Sequence, residues 1–113
     1  EQLLDYKKTT IDLPIILFNY NEFSLSKASK ESLNTLALKL KNSSLKIRIT
    51  GHTDKFGGDY YNEQLGEKRA HNVFMYLKSM GVSKDLMYEV SMGKRKPVSS
   101  DPAKNRRVEI TIE

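Results

Sequence analysis

The chain contains no cysteine, so disulfides, thiolate catalysis and cysteine-held metals are excluded at once. It has only two histidines, His52 and His71, and neither has a second ligand at a metal-binding spacing, so no metal site is expected. Proline is scarce too, at three residues, and each one punctuates: Pro14 in the first apolar run, Pro97 and Pro102 in a polar stretch near the end. No apolar run approaches the ~20 residues that a membrane-spanning helix needs. The first residues lack the basic-then-apolar pattern of a signal peptide, which suggests an excised domain or a mature chain.

What is present is the composition of one folded domain: 113 residues, 38% hydrophobic and 29% charged. Nineteen Lys and Arg against fourteen Asp and Glu give a net charge of +5. That surplus allows a polyanionic partner, but the lysines are spread along the chain. Only Lys94-Arg95-Lys96 and Lys104-Asn105-Arg106-Arg107 form clusters, and a solvated basic surface explains the rest.

Residues 1–10 are polar and read as a linker or N-terminal arm, leaving 11–113 as the domain. A first strand is expected near residues 15–19. A helix then starts at Ser26 or Ser29, carries Leu33, Leu36, Ala37 and Leu40 on one face, and ends at Asn42-Ser43-Ser44. Leu45, Ile47 and Ile49 alternate with polar residues, predicting a strand that ends at Thr50 and runs into a loop bracketed by Gly51 and Gly57. A second helix from about Tyr60 presents Ala70, Val73, Phe74 and Leu77 and closes at Gly81 as a left-handed cap. Tyr88, Val90 and Met92 suggest a third strand, Val108, Ile110 and Ile112 a fourth, with residues 94–105 a loop. The order β-α-β-α-β-β predicts an α+β two-layer sandwich: a mixed four-stranded sheet with both helices packed on one face.

The stretch Gly51-His52-Thr53-Asp54-Lys55-Phe56-Gly57 places Asp54 in the loop before the second helix. Asn62 and Arg69, seven positions apart, fall on one face of that helix. An acid and an arginine are thus expected to flank one small pocket at the loop-to-helix junction. Such a pair suits a zwitterion, the carboxylate taking an ammonium and the guanidinium fork a carboxylate. Each residue also has a plainer reading: Asp54 as a turn or helix-capping residue, Arg69 as a salt-bridge arginine, Asn62 as a helix-start residue, and His52 as a packed or hydrogen-bonded loop residue. One of Arg106 and Arg107 is expected to brace the binding loop or the sheet while the other faces solvent.

The pattern G-H-T-D-x-x-G, then Y-N, L-G-E-x-R-A and N-R-R-V-E, resembles the signature of the OmpA-like peptidoglycan-binding domain. The likeness runs from about residue 15 to 112, includes Phe18-Asn19-Tyr20-Asn21, and leans toward the peptidoglycan-associated lipoproteins through residues 65–70 and 75–77. It implies non-covalent binding of the peptidoglycan stem peptide through its diamino acid, whether diaminopimelate, ornithine or lysine, with neither a cofactor nor catalysis. Asp54 would hold the ammonium and Arg69 the carboxylate, Asn62 and Asn21 would add amide bonds, and Phe56, Gly57 and the backbone N–H groups through Asp59 would orient the peptide. Loss of either charge is expected to weaken binding by about 2 kcal/mol or more with the fold intact. The resemblance also implies a periplasmic, outer-membrane-associated setting, with membrane attachment only through a missing N-terminal anchor or barrel. Two alternatives stand beside it: docking of Tol-type periplasmic proteins, and a basic polyanion-binding domain. For nucleic acid, Tyr20, Tyr60, Tyr61, Tyr76 and Tyr88 are available, but they do not form an RNA-binding strand pattern, so no nucleic acid is expected. No paired nucleophile and base or opposed carboxylates suggest an enzyme.

Overall fold

The computed structural model describes residues 11–113, and the arm predicted at residues 1–10 lies outside them. The main elements are β1 (Ile16–Leu17), α1 (Lys27–Leu40), β2 (Ile47–His52), α2 (Asp59–Ser79), β3 (Met87–Gly93), α3 (Pro102–Asn105) and β4 (Arg107–Ile112). They form one mixed sheet in the order β1-β4-β2-β3. β4 is antiparallel to β1 and β2, while β3 runs parallel to β2, as a connection through a crossover helix requires.

Local chemistry explains most boundaries. Ser26 caps α1, its hydroxyl accepting from the Ser29 N–H at 3.0 Å, and Leu33, Leu36, Ala37 and Leu40 bury one stripe. Those residues join Ile47 and Ile49 of β2, Val108 and Ile110 of β4, and Ala70, Val73 and Leu77 of α2 in one core. Both helices therefore share one face of the sheet, as the α+β sandwich predicts. α2 ends at Ser79 with Met80 as its C-cap, and Gly81 follows at φ +104°, the backbone state that favours glycine.

Three boundaries differ from the sequence expectation. β1 is only two residues long, because the chain turns at Tyr20-Asn21 just past it, although the Phe18 N–H still donates to the Arg106 carbonyl. The run 94–105 is not all loop: Asp101 caps Pro102–Asn105 into one helical turn, accepting from the Ala103 N–H at 3.0 Å. β2 does not stop at Thr50 but continues through Gly51 and His52, which pair with Ser91 and Gly93 of β3.

Gly51 is thus a strand residue, and its role is close approach rather than turning. A Cβ there would overlap the carbonyl oxygen of Gly66, and a Cβ on Gly66 would collide with the Ser91 hydroxyl. The two glycines let α2 lie directly on the end of β2. Gly51→Ala is expected to cost about 3 kcal/mol, since the obstructing atom is backbone and neither element can withdraw without losing core contact. A urea unfolding midpoint equal to that of the unmodified chain would contradict this packing.

Candidate ligand cleft

Because α2 sits so tightly on β2, the segment leaving β1, the loop leaving β2 and the first two turns of α2 converge at one end of the sheet. The β1 exit is a tight turn in which the Glu22 N–H donates to the Asn19 carbonyl at 3.1 Å. Asn21, at φ +60°, is the one non-glycine residue with positive φ among the described residues, a conformation that asparagine tolerates better than most. Asn21 therefore sits in a turn beyond the strand, and the turn by itself accounts for its residue type.

The loop after β2 is wired from within. One Asp54 carboxylate oxygen accepts from the Phe56 N–H at 3.1 Å, closing an Asx turn. Gly57 adopts φ +94°, and the Asn62 side-chain amide donates to the Phe56 carbonyl at 2.9 Å. Asn62 is buried and ties the loop to the helix, while its amide oxygen accepts no bond from the described residues. Asp54 does not cap α2: the cap position is Gly58, which supplies no side-chain bond.

Arg69 is fully buried, at 0% exposure. Its Nε donates to the Glu22 carbonyl at 2.8 Å, Nη1 to the His52 carbonyl at 2.9 Å and Nη2 to the Asn19 carbonyl at 3.2 Å, with the guanidinium carbon 5.2 Å from the centre of the Phe18 ring. One side chain thus pins the β1 turn, the end of β2 and α2 together. Burial lowers its pKa to about 10, with Asp54 opposing the shift and Arg106 adding to it, so it stays charged at neutral pH. Asp54 makes its ion pair with Arg106, at 3.5 Å, rather than with Arg69.

Neither arginine of the late cluster faces solvent, contrary to expectation. Arg106 donates to the Phe18 carbonyl and reaches Asp54; Arg107 is buried, bonding Glu109 at 2.6 Å and the Lys96 carbonyl at 3.0 Å. Alternation along β4 sends Arg107 to the sheet face away from the helices, and Arg106, just before the strand, points back under the β1 turn. His52 is packed as expected, but in a strand, and neither ring nitrogen has a hydrogen-bond partner. Its pKa falls to about 4, chiefly because burial penalises the charged ring and Arg107 repels it, while Glu109 works the other way.

These segments enclose a cleft of about 180 Å³. Asp54, Arg69, Asn62, Asn21, Phe56 and Gly57 all line it, joined by Tyr20, Tyr61 and Leu65, which belong to the signature motifs but carried no expected ligand role. Tyr20 and Tyr61 each adjoin a predicted asparagine, and that adjacency is the sequence signal that places them at the cleft. Among the described residues no cluster of His, Cys, Asp or Glu could hold a metal, and no helix is long and apolar enough to cross a membrane.

The architecture is that of an α+β module: a mixed sheet under two helices, with a small charged cleft where the β1 exit, β2 and α2 meet. The OmpA family model matches residues 17–111, and the chain belongs to the OmpA family. It is 42% identical over 98 residues to the peptidoglycan-associated lipoprotein of Buchnera aphidicola subsp. Baizongia pistaciae, covering 81% of this chain and 57% of that protein. To outer membrane protein A of Salmonella typhi it is 36% identical, covering 80% of this chain and 27% of the other. The chain therefore spans little more than half, or less, of these relatives. The crystal structure of the peptidoglycan-associated lipoprotein from Burkholderia pseudomallei superposes with a TM-score of 0.85 at 33% identity, over 88% of this chain and 89% of that one. The lean toward the lipoproteins agrees with these identities.

Two outcomes follow from this wiring. Arg69→Lys keeps the charge but loses the fork that serves three carbonyls, and should lower stability by about 3 kcal/mol. An Arg69→Ala chain is accordingly a fold variant as well as a site variant, against the expectation that its fold would persist. A chemical denaturation midpoint unchanged by Arg69→Lys would contradict the bracing role.

His52 makes stability depend on pH. The unfolded chain takes up a proton below about pH 6.5, the folded chain only near pH 4. Its contribution is intact above pH 6.5, declines as pH falls and is gone below about pH 4, a total of about 3 kcal/mol. His52→Phe should flatten the slope of stability between pH 6.5 and 4.5, and parallel slopes for the two chains would refute the assignment.

Proposed function

We propose that this domain binds peptidoglycan non-covalently, seating the diamino-acid end of a stem peptide in the cleft, and so tethers the outer membrane or an envelope complex to the cell wall. The observation that carries the reading is the convergence of the buried Asp54 carboxylate and the Arg69 guanidinium on a single small cleft, with Arg106 paired to Asp54 from outside the lining. At about 180 Å³ the space lies below the usual ~300–1,000 Å³ of small-molecule pockets, and suits one amino-acid end rather than a whole wall fragment. Membership in the OmpA family and likeness to proteins named peptidoglycan-associated lipoproteins support the same ligand and a periplasmic, outer-membrane-associated location.

The chemistry left open in the cleft fits a zwitterion. Asp54 has lone pairs beyond those used by Phe56 and Arg106, so it accepts an ammonium. Arg69 spends three of its five N–H donors on carbonyls, leaving two for a ligand carboxylate. The Asn62 amide oxygen is an acceptor for a ligand N–H, and Asn21 stands at the rim. Of the loop N–H groups expected to orient the peptide, that of Phe56 is already committed to Asp54. With one lining group of each sign, the cleft favours a ligand end that brings a carboxylate with its ammonium. Diaminopimelate does so, whereas the side-chain ends of ornithine and lysine carry the ammonium alone. Among the described residues, Asp54 is the only acid lining the cleft.

Calorimetric titration with stem peptides containing diaminopimelate, ornithine or lysine tests the reading. Binding should be strongest for diaminopimelate and should weaken by about 2 kcal/mol, roughly 30-fold, in Asp54→Asn. Equal affinities for Asp54→Asn and the unmodified chain would sink the assignment.

A further inference from the structure

A second opening lies beside the cleft, across the first turn of α2. Successive residues of that turn face opposite ways: Tyr61 and Asn62 line the cleft, whereas Asp59, Tyr60 and Glu63 line a groove of about 370 Å³ completed by Gly93, Lys94 and Arg95. Between the two openings the carbonyl of Gly57, a cleft residue, accepts from the ammonium of Lys94, a groove residue, at 2.9 Å.

The groove offers an unusual mixture. Tyr60 is 77% exposed, and no described residue bonds its hydroxyl or stacks on its ring. Around it stand two ion pairs, Lys94 with Asp59 at 3.4 Å and Arg95 with Glu63 at 3.0 Å. Arg95 is further fixed by bonds to the Met92 and Ser91 carbonyls, at 2.9 and 3.0 Å. Charges of both signs cancel, so the groove has no net attraction for an ion, yet it presents donors and acceptors in fixed places beside a bare aromatic face. A pyranose ring matches that arrangement: its C–H face stacks on an aromatic ring while its hydroxyls bond to groups of either sign.

We propose that this groove is a saccharide subsite, taking a sugar ring of the wall glycan while the attached stem peptide enters the cleft. The inference rests on the proposed peptide-binding role of the cleft. The two openings are separated by one helix turn, on the order of 10 Å across, a span that two or three extended residues cover. A peptide leaving the cleft over Gly57 and Gly58 therefore delivers its sugar to Tyr60. An added Cβ at Gly58 would meet nothing within 4 Å, so that passage is clear.

The test compares a free stem peptide with the same peptide carrying its disaccharide. The unmodified domain should bind the disaccharide–peptide about tenfold more tightly. Tyr60→Ala, at a solvent-exposed site, should remove that gain while leaving affinity for the free peptide unchanged, and Tyr60→Phe should retain it. Equal affinities for the two ligands, or a gain that survives in Tyr60→Ala, would overturn the subsite. If the free peptide does not bind, the cleft reading fails by itself. Tyr60-dependent binding of the disaccharide–peptide would then still support the groove, and absence of both would dismiss it.

Discussion

Three main-chain carbonyls, those of Asn19 and Glu22 after β1 and His52 at the end of β2, converge on the guanidinium of Arg69. Buried charge is costly, and this one is tolerated because every bond it makes is charge-assisted and an aromatic face lies over it. No helix or strand ladder would otherwise connect the β1 turn to β2 at this end, because β1 pairs only with β4. The cleft is the space left when that guanidinium draws the two segments against α2. Its shape therefore depends on one side chain, carried by a helix that the contact of Gly51 with Gly66 holds close against β2.

The electrostatics follow from the same arrangement. Arg69 and Arg106 approach one carboxylate, Asp54, which closes a bond to its own loop and an ion pair with Arg106. Asp54 already has a cationic partner in Arg106, so among the described residues the guanidinium of Arg69 has no carboxylate at salt-bridge distance, in a desolvated setting where an unpaired charge counts for more than on an open surface. Under the proposed function, a ligand that supplies both an ammonium and a carboxylate would complete the pairing. The groups that would receive it are held by helix, strand and internally bonded loop, so little ordering remains to be done on binding.

Much of this was legible in residue order, for identifiable reasons. The stripes Leu33-Leu36-Ala37-Leu40 and Ala70-Val73-Leu77 and the alternation of β2 and β4 are periodic, and periodicity survives into the fold. The spacing of Asn62 and Arg69 placed both on one helix face, and both do line the cleft beside Asp54. What could not be read depends on tertiary contact. Gly51 looks like a loop glycine until Gly66 is brought against it, so β2 appeared to end two residues early. Arg69 reads as a free fork, because main-chain carbonyls distant in sequence leave no mark on it. Arg106 and Arg107 are adjacent and identical in type, and only strand alternation against a particular sheet tells which braces the cleft and which the far face.

The account's central claim is that a bracing arginine and a receptive aspartate form one site. The most direct measurement is a high-resolution crystal structure of the domain with a diaminopimelate-containing stem peptide bound. The account predicts the ligand ammonium within hydrogen-bonding distance of Asp54, its carboxylate on the free N–H groups of Arg69, and the three carbonyl bonds of Arg69 unbroken. A ligand seated elsewhere, or an Arg69 that leaves Asn19, Glu22 and His52 to reach it, would contradict the account.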